Sequence, residues 1–150
     1  MEHIRLRRQL DHLPDVPAWP ADIRLENFTS QHAQSLHALL KISYAKGGGS
    51  VVAFPEWWKT LSTDSEYDPA LCFTAFLSGT LVGAAQCWTS GYIKDLSVHP
   101  DWRRRGIATV LLLHAFHTFR LRGVSAVDLK VEIGNPGAIA LYRSLGMVSV

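Results

Sequence analysis

The chain has 150 residues, 47% hydrophobic and 19% charged, with a formal net charge of +2. That length and apolar content suit one compact domain with a sizeable core and leave no room for a second. The small charge, concentrated at Arg103, Arg104 and Arg105, argues against an extended nucleic-acid surface and for a local anion site.

Cys72 and Cys87 lack Cys-x-x-Cys spacing and a nearby His cluster, so they read as buried thiols, and no metal site is expected. No run of about 18 uninterrupted apolar residues occurs, so the expectation is a soluble, cytoplasmic chain with no membrane partner.

Residues 1–21 close on Pro14-Asp-Val-Pro17-Ala-Trp19-Pro20. Proline fixes φ and disfavours helix in the residue before it, so this stretch reads as an extended lead-in pinned by Trp19, with the domain proper at residues 22–150. Ile23-Arg-Leu-Glu-Asn-Phe28 alternates apolar and polar as a strand does. Thr29 or Ser30 then caps a helix to about Tyr44, whose core face is Leu36, Leu39 and Leu40.

Gly47-Gly-Gly-Ser50 is the most flexible point of the sequence and breaks that helix from a second, Phe54 to about Leu61. Within it, Trp57 and Trp58 serve either core packing or a mobile flap over a site. Cys72–Leu77 and Thr80–Trp88 flank the tight Ser78-Gly79 connection, and Tyr92–Val98 completes an antiparallel meander.

From Arg104 to Arg122 the pattern predicts a helix. Ala108, Leu112, Ala115, Phe116 and Phe119 fall within a sector of about 80°, and Gly123 stops it. His114 and His117, with no acidic partner on that helix, read as partly exposed residues rather than ligands. Ala126–Val131 is a strand, Asn135–Leu145 a helix stopped by Gly146, and Met147–Val150 a last strand. Strand, helix, strand in this order calls for a right-handed crossover between parallel neighbours.

Asp95-Leu-Ser-Val-His-Pro-Asp-Trp-Arg-Arg-Arg-Gly-Ile-Ala108 organises the rest. A strand enters a turn at Pro100, and three arginines and a small-residue step open a long apolar helix. A helix start offers free backbone N–H groups to an anion such as a pyrophosphate, and Gly106 and Ala108 are small enough to let it approach. Arg103-x-x-Gly106-x-Ala108, preceded by Leu96-Ser-Val98-x-Pro100, resembles the acetyl-CoA signature of the GNAT N-acetyltransferase superfamily. Glu132-Ile-Gly-Asn135-Pro-Gly-Ala138-Ile-Ala-Leu-Tyr142-Arg-Ser-Leu-Gly146-Met resembles its second signature.

The resemblance spans about residues 22–150 and implies an α/β (α+β) fold. Its sheet is mixed, mostly antiparallel and splayed, with helices on both faces, and acetyl-CoA enters where two strands part. It implies that backbone groups of Leu96 and Val98, either side of Ser97, pair with the pantetheine arm. Amides from Arg104 through Ile107 and Ala108 to Thr109 would hold the pyrophosphate, with charge from one or two of Arg103, Arg104 and Arg105. The Tyr142 phenol would protonate the departing thiolate as general acid. Asn135 before Pro136 answers equally to ordinary helix capping and to a role at the cofactor or in catalysis.

The implied reaction is direct attack of an acceptor amine on the thioester, with backbone N–H near Leu96–Val98 stabilising the oxyanion. Members that acetylate polyamines tend to carry Glu where Lys94 stands, and the ribosomal-protein type carries Glu where Lys130 stands. The two lysines therefore argue against both acceptor classes and leave Asp95, Glu132, Glu56 or a water chain as the base. Lys94 and Lys130 either reach to solvent or bind an acidic group of the acceptor, with Trp57 and Trp88 as further acceptor contacts.

The expectation is an acetyl-CoA-dependent N-acetyltransferase acting on a primary amine of a small molecule or peptide. The alternative is a non-catalytic acyl-CoA sensor, and acetylation of an aminoacyl-tRNA would need a broader basic surface. The last strand presents an edge that a second subunit, giving a homodimer, or the N-terminal lead-in would cover.

Overall fold

The computed structural model describes residues 2–45 and 50–150. Strands form where side chains alternate between two faces: β1 (His3–Gln9), β2 (Ile23–Asn27), β3 (Tyr67–Leu77), β4 (Thr80–Trp88), β5 (Tyr92–Val98), β6 (Ala126–Glu132) and β7 (Val148–Ser149). The helices are α1 (Ala33–Tyr44), α2 (Phe54–Ser62), α3 (Ile107–Leu121) and α4 (Pro136–Ser144). The strand order is β2-β3-β4-β5-β6-β1-β7. Every neighbouring pair is antiparallel except β5 and β6.

Each face of the sheet carries its own core. Leu111, Phe116 and Phe119 of α3 pack with Leu6, Ala85 and Val127 on one face. Leu36 and Leu40 of α1 join Trp57, Leu61, Phe76 and Ala84 on the other. Ala84 and Ala85 entering different cores is the strand period at work.

The N-terminus departs from the expected lead-in. His3–Gln9 is a full strand, paired with β6 from His3↔Glu132 to Gln9↔Ala126 and with β7 at Leu6↔Ser149 and Arg7↔Val148. Leu6 is fully buried while Arg5 and Arg7 occupy the opposite face, where both meet the Asp128 carboxylate. The Arg7 hydrogen bond leads the effects that hold that carboxyl below the usual aspartate range. Arg8 Nε donates to the Leu145 carbonyl at 2.9 Å, joining β1 to the end of α4. The lead-in is therefore confined to residues 10–22, strapped to α3 by a Trp19–His114 stack at 5.9 Å and by His117 Nε2 donating to the Pro14 carbonyl at 2.7 Å.

Three boundaries also move. α3 begins at Ile107 rather than Arg104, because Arg104 (φ 62°) and Gly106 (φ 85°) are left-handed and cannot continue a right-handed helix. β3 begins at Tyr67 rather than Cys72, with irregular pairing between those residues around Pro69. A 3-10 turn, Ser30–His32, precedes α1, and the Thr29 N–H donates to His32 Nδ1 at 3.1 Å. The expected flexible break at Gly47–Gly49 lies outside the described residues.

Candidate active site

β5 and β6 run parallel and pair in register only at Tyr92↔Asp128. β5 is bent just beyond that point by an irregularity against β4 between Gln86 and Cys87, opposite Lys94. The two strands then part, and a cleft of about 1120 Å³ opens between them. Leu96, Ser97 and Val98 line one wall, and Lys130 and Glu132 the other.

The turn before α3 closes one end. Left-handed Arg104 and Gly106 turn the chain, and the first α3 hydrogen bond is Val110 N–H to the Gly106 carbonyl at 3.1 Å. The amides of Ile107, Ala108 and Thr109 precede the helical ladder and have no intrahelical acceptor. All three residues line the cleft with Arg103, Arg104 and Gly106. This is an anion nest at the positive end of a fifteen-residue helix.

Two expected donor contacts change. Arg105 does not line the cleft; its guanidinium stacks on Trp102 at 4.6 Å, a contact that satisfies its flat face. Arg103 Nε donates to the Val98 carbonyl at 3.1 Å, so that carbonyl is already engaged and only the rest of the Leu96–Val98 backbone is open to a strand-like partner.

Asn135 serves the capping role, its Oδ1 accepting from the Ala138 N–H at 3.2 Å, and also lines the cleft. Tyr142 is 8% exposed, and its ring belongs to the core beneath the cleft. Its hydroxyl reaches the cleft with no protein hydrogen-bond partner among the described residues. Burial pushes its pKa up to about 12, so the phenol keeps its proton at neutral pH.

Elsewhere in the cleft the Asp95 carboxylate is committed. Tyr44 Oη donates to its Oδ1 at 3.0 Å and Lys94 Nζ to its Oδ2 at 2.9 Å. Burial, then the charge of Asp95, raises the Tyr44 pKa and keeps that phenol protonated. Lys130 has no carboxylate within 4.0 Å among the described residues, whereas Glu132 Oε1 lies 3.8 Å from His3 Nε2.

Trp57 and Trp88 do not reach this cleft. Trp57 is 7% exposed and packs at 5.3 Å on His37 and 6.1 Å on Phe54, and Trp88 packs against the same core. Glu56 is exposed on α2, away from the cleft. His3, Ser43 and Tyr44, none of them expected, do line it, and the Ser43 hydroxyl is buried without a partner among the described residues. Tyr44 carried one sequence signal: it ends the helix that leads into the glycine run.

Two strands of one sheet part beside the turn that opens α3, and the Tyr142 phenol lines the same cleft of this α/β protein. The family model described as acetyltransferase (GNAT) family matches residues 30–147, and the chain belongs to that family. N-alpha-acetyltransferase MAK3 of Arabidopsis thaliana is 39% identical over 87 residues, which are 53% of this chain and 46% of that protein. Mycothiol acetyltransferase of Thermobispora bispora is 29% identical over 158 residues, covering 95% of this chain and 52% of that protein. The chain spans about half or less of the length of the curated relatives it matches.

Among solved structures, the GCN5-related N-acetyltransferase from Sphaerobacter thermophilus superposes with a TM-score of 0.82 at 28% identity, covering 99% of this chain and 48% of that one. Acetyl-CoA is the cosubstrate of this family, and the residues present fit it. The nest suits the pyrophosphate and the open β5 edge an extended amide-bearing arm. No helix among the described residues is long and apolar enough to cross a membrane.

Proposed function

We propose that this chain transfers the acetyl group of acetyl-CoA to a primary amine of a small molecule or peptide by direct attack. The observation that carries this is Tyr142, which lines the same cleft as the nest and whose hydroxyl has no protein hydrogen-bond partner among the described residues; burial favours its protonated form. The nest residues and the open backbone of Leu96–Val98 hold the donor in place, which removes the orientational cost of the encounter. A β5 amide stabilises the oxyanion of the tetrahedral adduct, and Tyr142 gives its proton to sulfur as the C–S bond breaks.

A finer part of the reading concerns the acceptor. Lys130, exposed and without a carboxylate partner among the described residues, suits an acceptor that carries an acidic group near its amine; Lys94, already bound to Asp95, contributes less. A homodimer in the cytoplasm belongs to the same reading, since Val148 on the edge strand is 58% exposed. The second reading is an acyl-CoA sensor. It is favoured by the commitment of Asp95 to Tyr44 and Lys94, which takes one carboxylate out of proton transfer.

Thiol release from acetyl-CoA, followed across amino acids, polyamines, aminoglycosides and peptide N-termini, separates the two. The transferase releases thiol with at least one amine class, fastest with acidic acceptors. Cofactor binding without release from any class is the outcome for the sensor.

A further inference from the structure

We propose that His3, delivered by β1 and paired with Glu132 of β6, is the general base that deprotonates the acceptor amine. The inference rests on the transferase reading and supplies the group that reading leaves unassigned.

Beyond the Tyr92↔Asp128 pair, Lys94 and Leu96 of β5 and Lys130 and Glu132 of β6 line the same cleft from its two walls. Arg5 spans the face in question, stacking over Tyr92 at 5.5 Å and bonding Asp128 at 2.7 Å. Residues two and four further along β6, Lys130 and Glu132, share that face, and register puts His3 directly beside Glu132. His3 and Glu132 therefore stand across the opening from the backbone that the thioester carbonyl is expected to meet.

Elimination points the same way. An amine in water arrives as an ammonium ion and must lose a proton before it attacks. Lys94 and Lys130 are cations, Asp95 is held by two donors, and Tyr142 and Tyr44 have phenols that keep their protons at neutral pH. Among the described residues of the cleft, the imidazole–carboxylate pair remains to accept a proton. Its 3.8 Å separation is longer than a hydrogen bond, as catalytic contacts often are before substrate binds.

The protons balance as follows. The ammonium gives one proton to the His3 imidazole, and Glu132 stabilises the imidazolium. The nitrogen lone pair forms the C–N bond, the C–S bond breaks with its electron pair on sulfur, and Tyr142 protonates the thiolate. The second nitrogen proton returns to the Tyr142 phenolate through the cleft, and His3 releases the first to solvent. The products are one amide, one thiol and one proton.

The charged groups around His3 bear on its pH behaviour. Glu132, Lys130, Lys94, Asp95, Arg103 and Arg104 line the cleft with it, and Arg5 stands two residues along β1, while Tyr44 and Tyr142 stay neutral.

The test is the pH profile of kcat for the full chain, with the fastest amine among the amino acids, polyamines, aminoglycosides and peptides above. His3→Gln lowers kcat about 100-fold at neutral pH. The deficit shrinks as pH rises toward the acceptor's own ionisation, and calorimetric acetyl-CoA affinity is unchanged. Glu132→Gln leaves His3 in place and moves the acidic limb of the profile to lower pH. A His3→Gln variant with wild-type kcat and profile overturns the base alone. A wild-type chain that binds acetyl-CoA and acetylates no amine overturns the transferase reading and the base with it.

Discussion

At the scale of residues, the donor site depends on backbone angle more than on side-chain charge. Gly106 sits at φ 85° with nothing within 4 Å of where a Cβ would lie, so its constraint is conformational rather than steric. A valine there meets a left-handed penalty of about 1–2 kcal/mol and shifts the nest amides. Since 1.4 kcal/mol is tenfold in an equilibrium, Gly106→Val should weaken acetyl-CoA binding roughly tenfold by calorimetry. Arg105→Ala is the contrast. Its guanidinium stacks on Trp102 and does not itself line the cleft, so affinity should stay near the wild-type value. Equal losses in both variants would mean that arginine charge, not the turn, holds the anion.

At the scale of elements, the strap of residues 10–22 is tied to α3 through histidines. Burial first, and His117 second, hold the His114 pKa below its usual value, so the folded state favours the neutral ring stacked on Trp19. The unfolded chain protonates this histidine at about pH 6.5, and the folded one only at lower pH. The stability it contributes is complete above about pH 6.5 and is lost as pH falls from there through the folded value. Tm should therefore fall between about pH 7.5 and about pH 5.5, and less in His114→Phe, which keeps the stack without the titration. An identical fall in both proteins would remove His114 from the account.

Element boundaries also show what the sequence reveals. The meander from Thr80 to Val98 is legible because alternation and glycine turns are local signals. β1 is not: its open face is arginine, and the carboxylate that accepts Arg5 lies 123 residues further on. The start of α3 is misread for a related reason. Arginine is a good helix former, and the left-handed φ of Arg104 leaves no mark in residue type.

At the scale of the whole molecule, one sheet does two tasks. Its antiparallel part and the two cores fix β5, while β1 holds β6 from the other side, so the parting of β5 from β6 is held open from both flanks. The part of the cleft built from the α3 turn and α4 was readable from two motifs, because backbone amides and small residues follow from local sequence. The rest of its lining was not. Tyr44 meets Asp95 across 51 positions, His3 meets Glu132 only because β1 inserts beside β6, and Trp57 turns into the core. These are long-range pairings that no short window contains.

The central claim is that this cleft performs acetyl transfer with Tyr142 as the acid. The most direct measurement is acceptor-dependent thiol release by the wild-type chain and Tyr142→Phe, beside calorimetric binding of acetyl-CoA to each. The account predicts saturable release by the wild type and a loss of about 100-fold or more in kcat in the variant, with binding retained. Undiminished turnover in Tyr142→Phe would contradict it.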